Sequence, residues 1–364
     1  MRQAKRSRTL SATMATLALL ALSAPANAQT LKKVQIAVGS ALINVGYPTE
    51  TLPTYLGYFK EAGYEVELIA AGGTLQAIQL LVAGNVDFAE VNAAPVIQAR
   101  VTHNLPIHIA MTQTAIDWSL AVMESSPLKE AKDFKGKKIG VFSMATGMLG
   151  LLERYLASAG VSSKDYELVS VGIGAPAVNA IRTGQVDGLY YWGSGIASFR
   201  NALPMRTIYS DEWKQYPDYS LAVMQSTIRK DPQKVIDIAK AMAKATAFAL
   251  ASPDCARRVY NAHNKRELPV GETQESLAAK DMNIIGAKLA ATANGLELGA
   301  GKYGAAANVK AFDNLQAYMV STKEIAKSVP SSELLTSIAN LTDKINDFDV
   351  AQVQAAARAC KAAS

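Results

Sequence analysis

Residues 71–95, AGGTLQAIQLLVAGNVDFAEVNAAP, contain the pattern that decides the fold. The stretch reads as a glycine pair, an amphipathic helix ended by Gly84, a turn, an apolar strand and the start of a second helix. A shorter version, GIGAPAVNAIRTGQVDGLYYWGSG, occupies residues 172–195. In both copies a Gly-x-Val-Asp turn leads into a strand whose far end carries groups that can contact a ligand. These copies predict two lobes, each built around one such unit.

The first 28 residues read as a secretory signal peptide. Basic residues precede an apolar run at residues 10–22, and Ala26-Asn27-Ala28 is a small-x-small cleavage site. The run is shorter than the roughly 20 apolar residues that a membrane anchor needs. No cysteine follows the cleavage site to carry a lipid. We therefore expect a soluble, exported periplasmic protein that is not a lipoprotein.

Net charge argues against a nucleic-acid or membrane-surface partner. The chain has 364 residues and a formal net charge of +6. The predicted signal peptide contains four basic residues and no acidic one, so the mature chain has a net charge of +2 (six less four). A chain so close to neutral offers no large basic surface, and its length suggests about two domains.

Strands alternate with helices over the first two hundred residues, which predicts parallel βαβ units. Residues 118–123 read WSLAVM and residues 219–224 read YSLAVM, and a complete set of α/β elements lies between them. We expect the chain to leave the first lobe through the first of these strands and to return through the second, which gives a two-strand hinge. The alternative is a chance similarity between two apolar strands.

This pattern divides the chain into four segments. They are the signal peptide (1–28), the first part of lobe one (29–120), lobe two (121–221) and the return segment of lobe one (222–364). From Asp231 onward the sequence is mostly helical. We expect these helices to pack on lobe one and complete its outer layer without forming a separate domain.

The two cysteines, Cys255 and Cys360, are predicted to form a disulfide. An isolated pair can be bridged in an oxidising compartment. A bridge would join the C-terminal helix to the helix near residue 255, and in the chain-entropy treatment it would contribute about 4–5 kcal/mol. The alternative is two unpaired, half-buried thiols.

The sequence contains no convincing catalytic or metal-binding motif. None of its three histidines lies at metal-ligand spacing from a cysteine or another histidine, and there is no Walker loop, Gly-x-Ser-x-Gly elbow or His-Glu-x-x-His. Residues 172–177, GIGAPA, fit a dinucleotide-binding pattern. The acidic residue that such a site needs about twenty residues later is missing, because the strand there ends in Tyr190-Tyr191-Trp192. We therefore expect no enzymatic activity, no metal and no cofactor.

Ligands of open parallel sheets bind beyond the carboxyl ends of the strands, beside helix N-termini. The loops predicted at these ends contain no lysine or arginine. An anion held there would depend on backbone N–H groups, hydroxyls, an amide and the helix dipole, and aromatic residues would add flat apolar surface. The predicted ligand-binding residues are Ser40, Tyr47, Gly73, Thr74, Asn92, Trp118, Ser143, Met144, Ala145, Thr146, Tyr191 and Trp192.

Alternative roles stay open for three of these residues. Ser143 and Thr146 lie three residues apart at a predicted helix start, so one of them is expected to act only as an N-cap. Trp118 opens the first SLAVM strand and could equally pack between the lobes. The expected pocket has aromatic walls and neutral polar donors, and it suits a small organic molecule, including one that carries a carboxylate or sulfonate.

Three segments resemble a known family. Residues 57–67, GYFKEAGYEVE, are similar to its G-x-F-K-x-x-G segment, and residues 72–88 are similar to its G-G … A-L-x-x-G-x-V-D-F segment. Residues 134–141, FKGKKIGV, resemble its L-K-G-K-K-I-G-V entry to the second lobe. Together they resemble the periplasmic solute-binding proteins of ABC importers of the nitrate/sulfonate/taurine and thiamine-precursor type, over roughly residues 34–224.

The resemblance implies a type II periplasmic binding protein fold, with two doubly wound α/β lobes, a two-strand hinge and extra C-terminal helices. Hinge closure would trap a small ligand between the lobes, and the closed monomer would dock transiently on an inner-membrane ABC permease. Two alternatives are a pyrimidine-precursor synthase of the same fold, which depends on a lysine and a histidine in the cleft, and a ligand-sensing module for a membrane receptor. Departures from the family pattern at Asn92 and Tyr191-Trp192 leave the ligand open.

Overall fold

The computed structural model describes Met1 and residues 30–304 and 309–363. Apart from Met1, the predicted signal peptide lies outside the described residues. From Leu31 onward the chain forms one unit. Its strands are β1 (Lys32–Val38), β2 (Tyr64–Ala70), β3 (Phe88–Val91), β4 (Ile107–Thr112), β5 (Ser119–Met123), β6 (Lys137–Val141), β7 (Tyr166–Ser170), β8 (Gly188–Tyr191), β9 (Met205–Ile208) and β10 (Ser220–Met224).

Helices connect these strands and make up the C-terminal part of the unit. They are α1 (Pro48–Tyr55), α2 (Tyr58–Glu61), α3 (Thr74–Val82), α4 (Ala93–His103), α5 (Leu149–Ser158), α6 (Ala175–Arg182), α7 (Gly193–Arg200), α8 (Gln225–Lys230), α9 (Pro232–Ala251), α10 (Pro253–His263), α11 (Gln274–Leu298), α12 (Val309–Ser321), α13 (Ser331–Leu334), α14 (Leu341–Asn346) and α15 (Val350–Ala359). Short 3₁₀ helices occupy Ala131–Phe134, Asp211–Gln215 and Lys361–Ala363.

The strands form two five-stranded sheets with equivalent topology. The first has the order β2-β1-β3-β10-β4, and the second has the order β7-β6-β8-β5-β9. In each sheet the first three strands are parallel and the fourth runs antiparallel to both neighbours. That fourth strand is a copy of the SLAVM repeat in both sheets. The repeat therefore marks equivalent positions in two related lobes and is not a chance similarity.

The chain crosses between the sheets in residues 113–118 and 209–219, immediately before each SLAVM strand. These segments pair with each other: the Ile116 N–H donates to Tyr216 O (3.0 Å), and the Asp218 N–H donates to Thr114 O (2.8 Å). They form the two-strand connection, and the SLAVM strands themselves do not. Since β5 and β10 each belong to a single sheet, the predicted boundaries at 120/121 and 221/222 come two residues too late.

The Gly-x-Val-Asp turns have the same structural role in both lobes. Asp87 accepts the backbone N–H of Gln35 (3.0 Å), and Asp187 accepts that of Lys138 (2.8 Å). Each carboxylate thus fastens the turn before β3 or β8 to the neighbouring parallel strand, β1 or β6. Both turns lie at the amino ends of these strands, away from the end where parallel sheets bind ligands.

Helices cover both faces of each sheet, as a doubly wound fold requires. In the first lobe, α3 and α4 pack on one face and α9 packs on the other. In the second lobe, α5 covers one face, while α6 and α7 cover the other. One apolar cluster continues from the first lobe into the second and contains Ile97, Val141 and Leu152.

Two of the C-terminal helices contact the second lobe as well as the first, which the sequence analysis did not predict. Helix α11 packs on α9 and α10 and also on α7, and the Asn201 amide donates to Lys280 O (3.0 Å) on α11. On α12, the ring of Tyr318 lies 5.2 Å from that of Tyr216 in the second crossing segment. These helices therefore connect the lobes rather than completing only the outer layer of lobe one.

The predicted Cys255–Cys360 disulfide is present, with a Cα–Cα distance of 5.5 Å. It joins the first turn of α10 to the residue that follows α15, and both cysteines are buried. The C-terminal end of the described chain is thereby tied to the first lobe. Among the described helices, none combines the length and apolar character needed to cross a membrane.

Candidate functional site

A cleft that is partly open to solvent lies where the carboxyl ends of the parallel strands of the two sheets face each other. The first lobe contributes the loops after β1, β2 and β3, and the second lobe contributes those after β6 and β8. Helix N-termini point toward this end of a parallel sheet, which makes it the usual ligand site. The lobes therefore share one candidate binding site.

Seven of the twelve predicted residues line this cleft. Their contribution to ligand binding stays a prediction, but their positions match the expectation that loops at the carboxyl ends converge. These residues are Tyr47, Gly73, Thr74, Asn92, Trp118, Thr146 and Trp192.

Two predicted residues lie behind the cleft wall instead. The Ser40 side chain is buried, and its hydroxyl donates to Leu42 O (3.0 Å). Tyr191 is fully buried, and its hydroxyl donates to Gly172 O. Because successive side chains of a strand point to opposite faces, Tyr191 turns into the core of the second lobe while Trp192, the next residue, faces the cleft.

The other three predicted residues, Ser143, Met144 and Ala145, lie at the cleft mouth and do not line the cleft. The Ser143 hydroxyl donates to Gly72 O (2.8 Å), and the backbone N–H of Leu75 donates to Ala145 O (3.2 Å). Both hydrogen bonds join the second lobe to the first. Met144 is exposed. This loop therefore joins the two lobes at the rim of the cleft. Its residues were predicted to contact the ligand.

Three charged side chains line the cleft, namely Asp117, Asp218 and Lys288. The expectation of neutral polar donors is therefore wrong. A signal for the two aspartates was present, because each immediately precedes the aromatic residue of its repeat: DWSLAVM and DYSLAVM agree at six of seven positions. Lys288 comes from α11, about seventy residues beyond the repeats, and no local pattern connects it with the cleft.

Asp117 and Asp218 occupy equivalent positions at the N-termini of equivalent helices. The backbone N–H of Gly193, the first residue of α7, donates to Asp117 Oδ2 (3.0 Å). The side-chain amide of Asn92, the N-cap of α4, donates to both carboxylate oxygens of Asp218 (2.9 and 3.1 Å). Each carboxylate is thus fixed in one orientation and placed where a helix dipole favours negative charge.

A hydrogen-bonded chain leads to Asp218 from the first lobe. The Thr74 hydroxyl donates to Asn92 Oδ1 (2.6 Å), so the Asn92 amide nitrogen points at the carboxylate. Thr74, Asn92 and Asp218 are all buried. Thr74 and Asn92, both predicted from sequence, therefore act at least in part through the orientation of Asp218.

Burial raises the pKa of both cleft aspartates. The pKa of Asp117 rises to about 6, because burial outweighs the stabilising Lys288 ammonium and Gly193 N–H. The pKa of Asp218 rises to about 7, since burial and the nearby Asp117 carboxylate outweigh the Asn92 amide and Lys288. Ionisation of these aspartates therefore costs free energy until a positively charged group enters the cleft.

Aromatic rings form the apolar walls. Trp118 and Trp192 lie 5.4 Å apart between centroids, and Phe142 meets Trp192 edge-on at 5.9 Å. On the opposite side, Tyr47 and Tyr219 meet at 6.4 Å. Trp118 is only 5% exposed and also packs on Tyr190 in the second lobe's core, and its contact with a ligand stays a prediction.

Lys288 forms the floor of the cleft above two buried glutamates. Its Nζ lies 4.5 Å from the centre of the Tyr219 ring and 3.9 Å from Glu50 Oε1. Glu50 and Glu90 are 1% and 0% exposed, and burial raises the pKa of both carboxyls despite the Lys288 ammonium. One ammonium thus faces several carboxyl groups in a region with little water.

Several buried polar atoms at this floor have no hydrogen-bond partner among the described residues. The Gln113 amide donates to Glu90 Oε2 (2.6 Å), but its own oxygen has no donor. The same holds for Glu90 Oε1, both carboxyl oxygens of Glu50 and the hydroxyl of Tyr219. Buried polar groups are ordinarily satisfied. While Glu50 and Glu90 are ionised, the region around the floor therefore has more hydrogen-bond acceptors than donors.

Residues 52–256 match the protein family described as NMT1/THI5 like. The match covers more than half of the chain. The chain belongs to the NMT1/THI5-like family. A Haemophilus influenzae protein whose name assigns it to thiamine biosynthesis is 30% identical over 235 residues, which cover 62% of this chain and 71% of that protein.

The NMT1/THI5-like chain shares its fold with solved solute-binding proteins. The alkanesulfonate-binding protein SsuA from Xanthomonas axonopodis pv. citri, bound to MOPS, has a TM-score of 0.59 at 15% identity and covers 84% of this chain and 98% of that one. A mutant of DSZB, a desulfurization enzyme, in complex with biphenyl-2-sulfinic acid has a TM-score of 0.56 at 14% identity and covers 87% and 99%.

These likenesses confirm the type II periplasmic binding protein fold with extra C-terminal helices, and they confirm the family resemblance found in the sequence. At such identity they concern the fold alone, and the fold serves both binding proteins and an enzyme.

Proposed function

We propose that this protein is the substrate-binding component of an ABC importer and that it captures a small organic molecule in the cleft between its lobes. The observation that carries this proposal is a cleft lined from both lobes, with two paired segments crossing between the sheets in the part of the chain that the structure describes. A ligand that contacts both lobes stabilises the closed arrangement, and a two-segment connection allows hinge motion.

Contacts at the cleft mouth support closure as the binding mechanism. The Ser143–Gly72 and Leu75–Ala145 hydrogen bonds cross the mouth, and they shield a bound molecule from solvent. These contacts form only when the loops of the two lobes meet. The proposed cycle is capture in an open form, closure across this rim and delivery of the closed form to a membrane permease.

The cleft suits a flat ring compound better than an alkyl chain. Trp118, Trp192 and Phe142 provide extended aromatic faces, and the polar groups lie at defined points between them. Such walls bind planar rings by stacking. The name of the Haemophilus influenzae relative is consistent with a ring compound of the thiamine-precursor type. We do not propose a carboxylate or sulfonate ligand, although the sequence suggested one, because two aspartates face the cleft.

Binding without covalent chemistry is the preferred function, although the fold also occurs in DSZB. The pyrimidine-precursor synthase considered above needs a lysine and a histidine in the cleft. Lys288 now supplies a lysine, but no histidine lines the cleft among the described residues. Incubation of the protein with its co-purified molecule, followed by mass spectrometry, would contradict this view if a product accumulated catalytically.

The buried disulfide supports the proposed periplasmic location. Disulfides persist in oxidising compartments and are rare in the cytosol, and Cys255–Cys360 closes a large part of the chain. The predicted signal peptide would direct export. A monomer that contacts an inner-membrane permease transiently remains the proposed working form, and a docking role in ligand sensing is the alternative.

Purification from the native periplasm tests the proposed function. We expect one small organic molecule to co-purify, to bind with one-to-one stoichiometry by calorimetry, and to reduce the radius of gyration in small-angle scattering. A protein that carries no small molecule, and whose scattering is unchanged by periplasmic extract, would contradict the proposal.

A further inference from the structure

We propose that Asp117 and Asp218 form a two-sided carboxylate clamp and that the captured solute carries a planar, positively charged nitrogen group. This inference rests on the proposed function, because it assigns the charge of the molecule that the same cleft takes. It makes the site selective for organic cations and against carboxylates and sulfonates.

Asp117 and Asp218 have equivalent positions in the two lobes. Each lies two residues before a SLAVM strand, and each carboxylate is anchored at the start of a helix, Asp117 by Gly193 and Asp218 by Asn92. The helices belong to opposite lobes. Closure therefore brings two oriented carboxylates to one cleft from opposite sides, as a ligand with several N–H donors would require.

The cleft floor also has more hydrogen-bond acceptors than donors while its carboxyls are ionised. The unpartnered buried atoms there are both oxygens of Glu50, one of Glu90, the amide oxygen of Gln113 and the Tyr219 hydroxyl. Four of these five atoms, all except the Tyr219 hydroxyl oxygen, can only accept hydrogen bonds while Glu50 and Glu90 are ionised. Of these residues, Tyr219 lines the cleft, so an N–H of the ligand can donate to its hydroxyl oxygen, whereas a carboxylate or sulfonate would place further acceptors beside this region.

Carboxyl groups outnumber ammonium groups at the cleft and its floor among the described residues. Among the described residues, the ionisable groups at the cleft and its floor are Asp117, Asp218, Glu50 and Glu90, against the ammonium of Lys288. That ammonium already lies 3.9 Å from Glu50 and over the Tyr219 ring. Burial keeps part of these carboxyls protonated in the empty cleft. An anion gains no opposite charge from them, whereas a cation favours their ionised form and is attracted to it at low dielectric.

The aromatic walls fit the same ligand. The negative face of an indole ring attracts a cation, and tryptophan is the most effective residue for this interaction. Trp118 and Trp192 both line the cleft. A planar cation can stack against them while its N–H groups reach the carboxylates at its edge, which a compact ammonium does less well.

The raised aspartate pKa values agree with this arrangement. With a pKa of about 6 for Asp117 and about 7 for Asp218, the empty cleft is partly protonated near neutral pH. A bound cation favours the ionised carboxylates and lowers both pKa values. Binding of a cation should therefore release protons between pH 6 and 7, which calorimetry in buffers of different ionisation enthalpy measures.

Three probes of nearly the same shape test the charge assignment: benzamidine (a cation), benzamide (neutral) and benzoate (an anion). We expect the wild-type protein, freed of co-purified solute, to bind benzamidine at least tenfold more tightly than benzamide and to bind benzoate most weakly. Asp117→Asn and Asp218→Asn should each reduce the affinity for benzamidine about ten- to hundredfold, as expected for a lost charge-assisted hydrogen bond, with little effect on benzamide.

Asp187→Asn is the matched control. Asp187 is exposed at the opposite end of the second sheet, so this variant should retain the wild-type ranking. The wild-type ranking tests the inference even if an aspartate variant misfolds. Preference for benzoate, equal affinity for all three probes, or no binding of any at 10 mM would overturn it. In that case ligand-induced compaction by the co-purified molecule would still support the proposed function, and its absence would count against the function itself.

Discussion

Gly147 of the second lobe lies directly against Thr74 of the first. A Cβ atom at Gly147 would come within 2.9 Å of Thr74 Cβ and within 2.8 Å of Pro95 Cγ, and real Cβ atoms essentially never make such close contacts. Gly147 is not among the residues with positive φ. The need for glycine therefore comes from the approach of the two lobes and not from its own backbone conformation.

Replacing Gly147 by alanine should prevent full closure while leaving each lobe folded. The added methyl group has no space unless the lobes move apart, because Thr74 and Pro95 are held by α3 and α4. We expect the affinity for the co-purified solute to fall at least tenfold, and ligand-induced compaction in small-angle scattering to be lost. Unchanged affinity would show that the rim contact is not needed for binding.

Gly286→Ala is the control for this variant. Gly286 lies within α11, and a Cβ atom there would meet no atom within 4 Å. Alanine is favoured over glycine in a helix by roughly 1 kcal/mol. This variant should therefore be slightly more stable than the wild type, with unchanged affinity and compaction.

Truncation of Trp192 should weaken ligand binding more strongly than truncation of Ser143. Trp192 lines the cleft, and its ring packs against Trp118 and Phe142, so Trp192→Ala removes much of one wall. Ser143→Ala removes the hydrogen bond to Gly72 that crosses the rim, worth about 1 kcal/mol or roughly a fivefold change in affinity. It also removes a local hydrogen bond that the hydroxyl accepts from the Ala145 N–H (3.2 Å). Calorimetry with the co-purified solute should find this order, and the reverse order would contradict the assignment of Ser143 to the rim.

The ligand-free protein should lose stability as the pH rises from 5 to 8, through Asp218. Its folded-state pKa of about 7 exceeds the ordinary value of 3.8, so between these values the folded state binds more protons than the unfolded state. The free energy of unfolding therefore falls as pH rises toward the folded-state pKa. Two pKa units within this window correspond to about 2–3 kcal/mol.

Urea denaturation at pH 5 and pH 8 measures this effect as a difference between wild type and Asp218→Asn. Groups with lowered pKa values, such as Asp254, are ionised in both the folded and the unfolded state above pH 5, so they add no pH dependence in this window. The wild type should lose more stability than the variant between the two pH values. Equal losses would mean that Asp218 is not protonated in the empty cleft.

Loss of the Cys255–Cys360 disulfide should lower the stability without changing the ligand affinity. The bridge spans 105 residues, and closing a loop of this length corresponds to about 4–5 kcal/mol. The double variant Cys255→Ser/Cys360→Ser should therefore melt at a lower temperature and bind the solute as the wild type does. Reductant should lower the melting temperature of the wild type only, and an equal effect on both proteins would contradict this account.

The fold was predictable because its signals are local. Gly84 has a φ of +75° directly after α3, a conformation that favours glycine at helix ends, and the repeated Gly-x-Val-Asp turns begin β3 and β8 as expected. The SLAVM repeat showed that two lobes exist. It did not show on which side of each strand the chain crosses, because that depends on pairing between distant segments.

The site was only partly predictable because closure is a tertiary event. Asn92 directly follows β3 and Thr74 follows β2 after three residues, so their position at the carboxyl ends could be inferred. Lys288 enters from a distant helix, and the Ser143 hydroxyl contacts the opposite lobe at Gly72. Neither contact has a local sequence pattern. Asp117 and Asp218 could have been inferred from the sequence, because the repeat includes an aspartate just before the aromatic residue in both copies.

The position of β10 as the fourth strand of the first sheet also determines the order in which the two lobes can be completed. All strands of the second sheet lie within residues 119–208, whereas the first sheet needs residues 220–224 as well as 32–112. Until β10 has emerged from the ribosome or the export channel, β3 and β4 have no common neighbour and expose unpaired edges. Domains usually fold as units with the N-terminal one first, but here the lobe that is synthesised first is completed last. A chain that ends between residues 209 and 219 would therefore contain every strand of the second sheet but lack the strand that joins β3 to β4, so the unpaired strand edges at that stage belong to the first lobe.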